Sequence, residues 1–156
     1  MAEIQSVLRP LEQFERLMRD IYNELAEAFA EDAEAAALFS RLAFEEEAHL
    51  GQVQFLRRLV RQNGAHFGDV EIDPNVLLRE VDELETALDA ARRFSLREAL
   101  VIAIQFEGGV AELHARPAIA KANPEVARTL GDLRAADERH RNALNELARR
   151  RGFRSG

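Results

Sequence analysis

The chain has no cysteine, and that absence removes disulfides, zinc-thiolate sites, thiol nucleophiles and any iron-sulfur cluster held by its own side chains. A metal ion here would need oxygen and nitrogen ligands. Basic residues are outnumbered, with 21 Lys and Arg against 28 Asp and Glu, for a formal charge of -7 and a pI near 5.2. Nucleic-acid-binding domains show a basic face and a pI above about 9, so no nucleic-acid partner is expected. No window approaches the roughly 18 apolar residues of a membrane span, and the opening MAEIQSVLRPLEQF lacks the basic start and apolar run of a secretion signal. A soluble, cytoplasmic protein without a membrane partner is the expectation. Glycine and proline are few, 8 and 4, and fall mostly between periodic segments, so little interrupts helix formation.

What is present fits one helical domain. A chain of 156 residues with 47% hydrophobic content is long enough to bury a core without staples. Alanine, leucine, glutamate and arginine, all strong helix formers, dominate. The first helix is expected from about Ser6 to Ala30, with Pro10 near its start, and the second from about Ala33 to Asn63, where NGAHFGD supplies a stop. A long connector follows in which Asp73 caps a short helix opened by Pro74. Ser95 and Glu98 form a capping box for a third helix, SLREALVIAIQFEGGVAELHARPAIAKA, kinked at Pro117, and NPE at 123–125 opens a fourth that reaches about Arg151. The expected fold is an all-α four-helix bundle over 1–151, with its long crossover between the second and third helices, and a short basic tail over 152–156 that is solvated and has no assigned role.

Acids lie in the middle of these apolar faces. At about 100° per residue, Glu46 shares a face with Phe39, Leu42, His49, Val53 and Leu56, while Glu45 and Glu47 rotate toward the boundary or solvent. The fourth helix repeats the arrangement: Asp137 and His140 lie among Leu130, Leu133, Leu144 and Leu147. Glu15 falls among Leu8, Leu11, Met18 and Tyr22, and Glu107 among Leu100, Ala103, Val110 and His114. Glu15 to Glu46 is 31 residues and Glu107 to Asp137 is 30, so each half repeats one plan. An acid comes first, a ring-bearing polar residue (Tyr22 or His114) follows seven positions later, and an acid-x-x-His pair ends the unit. His66, in a glycine-containing turn, reads as a surface residue.

Four carboxylates converging in one core need a positive balance, because burying each ion costs several kcal/mol and like charges drive protonation. No lysine or arginine is expected centrally on these stripes. Two divalent cations would offset the four acids and leave both histidines as neutral ligands. The alternative is a metal-free polar core.

Position, spacing and repeat together resemble the ferritin-like di-iron carboxylate superfamily, most closely its rubrerythrin and bacterioferritin branches, over roughly residues 8–150. The resemblance implies that one Glu from each of two helices and a Glu-x-x-His from each of the other two hold two irons. Glu15 and Glu107 would be largely terminal carboxylates, Glu46 and Asp137 bridging ones, and His49 and His140 one nitrogen for each metal. Tyr22 would hydrogen-bond a ligand carboxylate from across the site, and His114 would take a similar supporting place. Three departures stand out. Asp137 replaces the usual Glu. Val110 stands where rubrerythrins carry an additional Glu, which favours a six-ligand site. The cysteine-rich rubredoxin domain is lacking, so electrons would come from an external donor protein. Glu47 follows Glu46 where bacterioferritins carry a haem-ligating methionine, so no haem is expected.

The resemblance implies a di-iron oxidoreductase acting on H2O2 or O2, a rubrerythrin-like peroxidase and a homodimer. Manganese or a mixed iron-manganese pair also fits such ligands. A ferroxidase feeding an iron store is the alternative, and a non-catalytic helical interaction bundle is a third.

Overall fold

The structure, a computed structural model, describes residues 1–153, with side chains described throughout except at 128–134. Among the described residues it is all-helical, joined by one isolated antiparallel bridge between Ala2 and Val70. The elements are α1 (Ile4–Ala28), α2 (Ala33–Gln62), α3 (Pro74–Ala90), α4 (Leu96–Glu107), α5 (Arg116–Ala122) and α6 (Ala127–Arg150). None of these helices is long and apolar enough to cross a membrane.

Local chemistry sets the starts of α2, α3 and α4. The Asp32 carboxylate accepts the Ala35 N–H at 3.2 Å to cap α2, and Asp73 accepts from Asn75 N–H at 3.0 Å where Pro74 opens α3. Ser95 and Glu98 exchange two 3.1 Å bonds in the expected capping box of α4. α1 begins at Ile4, two residues before the expected Ser6, so Pro10 lies inside it. The C-terminus of α6 closes on Gly152, whose φ of 76° suits glycine, and Phe153 N–H bonds back to the Ala148 carbonyl at 2.8 Å. Arg151 forks onto Asp32 at 2.7 and 2.9 Å, tying the end of α6 to the start of α2. Gly152 and the half-buried Phe153 are therefore folded back, where a solvated tail was expected, because an ion pair and a helix-ending turn hold the residues around them. Residues 154–156 of that tail, and the side chains of Leu130 and Leu133, lie outside what is described.

α1 packs along α2 and also against α3, while α6 packs against α4, α5 and α2. Leu8, Leu11, Phe14, Met18, Tyr22 and Leu25 form the buried face of α1, and Phe39 of α2 stacks near Tyr22 and Phe29 at 6.2 and 6.0 Å. Side chains of this size contribute about 1.5–3 kcal/mol each on burial, which offsets the polar groups among them.

The expected third helix is not continuous. α4 stops at Glu107, and Gly108–Gly109 lead into a wide turn, Ala111–Ala115, with π-type bonding before α5 resumes. The break falls at this glycine pair, and Pro117 sits harmlessly in the first turn of α5. Glu80 of α3 explains the glycines. Its carboxylate accepts the Val110 and Ala111 N–H groups at 2.7 and 2.9 Å, and a Cβ at Gly109 would collide with it.

Candidate metal centre

Glu15 on α1, Glu46 and His49 on α2, Glu107 at the end of α4, and Asp137 and His140 on α6 meet in the interior, none more than 4% exposed. They form two sets whose potential ligand atoms lie within 4.8 Å of one another: Glu46, Glu107, Asp137 and His140, and Glu15, Glu46 and His49. Glu46 belongs to both. Each imidazole turns Nδ1 toward it, His49 at 3.3 Å from Oε2 and His140 at 3.3 Å from Oε1. The two rings stack at 5.4 Å with 20° between planes. One carboxylate thus offers an oxygen to each histidine's side of the centre.

The donors have a common property. Both oxygens of Glu46, Oε2 of Glu15 and of Glu107, Oδ1 of Asp137 and Nδ1 of both histidines are buried without a hydrogen-bond partner among the described residues. Leaving one buried polar atom unsatisfied costs about 1–3 kcal/mol, a cost that a shared cation would relieve at every one of these donors. Oxygen and imidazole donors of this kind suit iron, manganese or zinc, and a cation in each set would meet them all.

Compared with known proteins, the chain matches no family model, no curated protein and no solved structure. The chemistry of the centre is therefore read from its own atoms.

Three of its residues escaped the sequence periodicity. Arg116, 2% exposed, contacts Glu15 through Nη2 and Asp137 through Nη1, and the same Nη1 lies 2.8 Å from Glu112 Oε2. The expectation that no arginine enters these stripes is corrected, and Glu112 is a fifth buried acid beside the four foreseen. The cause is the break after Glu107. A continuous helix would bring residues 110 and 114 to the face of Glu107, at about 100° per residue, but the wide turn inserts an additional residue. The buried positions become 111, 112, 115, 116 and 119. His114 consequently turns outward, exposed beside Met1, Asp69 and Lys121, and does not reach the centre. Val110 donates its N–H to Glu80, and Glu112 is buried against Arg116. The Gly-Gly pair within a helical pattern was the available signal.

The third is Glu45, expected at the boundary. Its carboxylate lies 2.5 Å from His140 Nε2, so it receives that N–H and leaves Nδ1 to face Glu46 and Glu107. Tyr22 also acts across the interior, donating its hydroxyl to Glu107 Oε1 at 2.6 Å.

Burial and mutual repulsion also shift the protonation of these groups. Burial, then the Glu46 charge, pushes the Glu107 carboxyl up to about 7. Burial opposes charging His140, but the Glu107 and Glu46 carboxylates outweigh it and hold the imidazole up to about 10. Burial raises Glu112 well above the ordinary carboxyl range, reinforced by the neighbouring Asp137 carboxylate. Burial also works against ionising Glu46, yet the His140 and His49 imidazoles that face its two oxygens keep it below the usual carboxylate value.

Proposed function

We propose that the centre binds two divalent metal ions, with iron the leading candidate, and uses them in redox chemistry on H2O2 or O2 with electrons from an external donor protein. The observation that carries this reading is the convergence of unpartnered buried oxygens and nitrogens on both sides of Glu46. The reading includes a ferritin-like four-helix bundle of α1, α2, α4 with α5, and α6, in which α3 rides on the crossover, and a homodimer in the cytoplasm. Charge supports it as well. Glu15, Glu46, Glu107, Glu112 and Asp137 face one arginine, and two divalent cations with that arginine would neutralise all five acids.

Bound iron would supply an electron couple able to reduce a small oxidant. The chain's own residues set its surroundings. Glu45 fixes the His140 ring by holding the Nε2 proton, and Tyr22 fixes Glu107 through its hydroxyl. The apolar shell of Phe39, Leu42, Val53 and Leu100 limits water around the donors.

Elemental analysis of protein purified without oxygen tests this, followed by addition of H2O2 with spectroscopic detection of ferric iron. About two metals per chain and oxidation by peroxide are expected. No metal, even after anaerobic loading with iron or manganese, would abandon the reading. A ferroxidase feeding a store is the second possibility, and uptake of many irons per chain by a large assembly would replace the peroxidase reading with it. Arg116 favours one further possibility, a metal-free bundle in which the arginine and bound protons balance the acids. That bundle would melt identically with and without chelator.

A further inference from the structure

We infer that Arg116 is the resident cation of the metal-free centre and makes its two metal positions unequal, so that the second ion binds only as the guanidinium lets go of Glu15 and Asp137. The inference rests on the metal centre proposed above. Arg116 touches one acid from each set: Glu15, which goes with Glu46 and His49, and Asp137, which goes with Glu46, Glu107 and His140. The larger set keeps Glu46, Glu107 and His140 clear of the guanidinium, enough to hold a first ion. The smaller set keeps only Glu46 and His49. Beyond Arg116, Glu15 Oε2 and Asp137 Oδ1 still face His49 Nδ1 at 4.0 and 3.8 Å, so the donors for a second ion lie in place beside a fixed positive charge. A guanidinium in contact with the other oxygen of each carboxylate, Glu15 Oε1 and Asp137 Oδ2, ties both acids to itself and repels an incoming cation. Glu112 provides the place to retreat to. It sits one turn before Arg116, bonds Nη1 at 2.8 Å, and retains a buried oxygen, Oε1, without a partner among the described residues.

Anaerobic titration of the chelator-stripped full chain with Co2+, followed by calorimetry and visible absorption, tests this in wild type, Arg116→Leu and Arg116→Lys. Wild type is expected to bind two ions in resolved steps. In Arg116→Leu the second step should tighten by about tenfold or more, while the metal-free melting temperature falls because five buried acids lose their fixed counter-charge. Arg116→Lys, which keeps the charge but lacks the fork, should lie between. Should Arg116→Leu not fold without metal, it is prepared loaded, and release of the second Co2+ to a chelator should be slower than from wild type. Two equal steps in wild type, or weaker binding and faster release in Arg116→Leu, would overturn the inference while leaving the metal centre standing. A wild-type chain that binds no Co2+, Mn2+ or Fe2+ would remove the centre and the inference together.

Discussion

The two halves of this chain start from one pattern and reach the centre by different routes. In the first half, α1 and α2 run unbroken, and Glu15, Tyr22, Glu46 and His49 arrive where a regular helical period places them. In the second, the segment after Glu107 breaks at two glycines, and a wide turn brings in Glu112 and Arg116 while turning His114 out. The first half brings in candidate donors together with Tyr22 and Glu45, and no buried cation. The second brings in candidate donors and a counter-ion, which implies that one side of a repeat can be modified for control of charge without disturbing the other.

The largest test of this contrast removes the residue that both sets share. Glu46→Ala should lower bound metal from about two per chain to nearly none, whereas Glu107→Ala, which touches one set, should leave about one; elemental analysis distinguishes them. If the two variants lost metal equally, the shared role of Glu46 would be wrong. A second test compares glycines. Gly109→Ala should lose about 2 kcal/mol of stability to denaturant, because the methyl displaces the Glu80 carboxylate and strands the buried Ala111 N–H and the half-buried Val110 N–H. Gly51→Ala, on α2 with open space around its Cβ, should instead gain up to about 1 kcal/mol from helix propensity.

The next effect is on pH. In the metal-free protein His140 is held up to about 10 and Glu107 up to about 7, so a cation must displace protons from both. Metal affinity should rise with pH across the neutral range, by up to about tenfold per pH unit for each proton released. The stability that a protonated His140 adds to the metal-free fold is fully present below its ordinary value of 6.5 and is lost as pH rises through about 10. Glu107, an acid with a raised value, adds a cost as pH rises from its ordinary 4.5 through about 7. Chelator-treated protein should therefore melt at progressively lower temperature through that range, and the metal-bound form should not. The smallest effects separate the repeat mates. Tyr22→Phe should cost about 1–2 kcal/mol, because a buried hydrogen bond to a carboxylate is lost. His114→Phe should leave metal content unchanged, and its loss of metal in the same assay would restore the symmetric view.

Much of the centre was legible beforehand. Glu15, Glu46, His49, Glu107, Asp137 and His140 could be named because a polar residue inside an apolar stripe stands out at helical period, and the repeat of 31 and 30 residues made coincidence implausible. Arg116 and Glu112 were hidden because that same period, carried past Gly108–Gly109, puts them on the wrong face. Glu45 was hidden for another reason: its partner, His140, lies 95 residues away on a different helix.

By itself, then, the sequence determined α1, α2 and α3, the caps of α2, α3 and α4, and the six convergent donors, all set by interactions within a few residues: turn chemistry, capping and the spacing of apolar side chains. Only the tertiary structure decided the register after Glu107, the entry of Arg116 and the orientation of His140. Each depends on a contact between distant segments: Glu80 of α3 on the backbone at 110–111, Arg116 on Glu15 and Asp137, and Glu45 on His140. Local periodicity carries no term for such contacts, and here they decide how the charge of the centre is balanced.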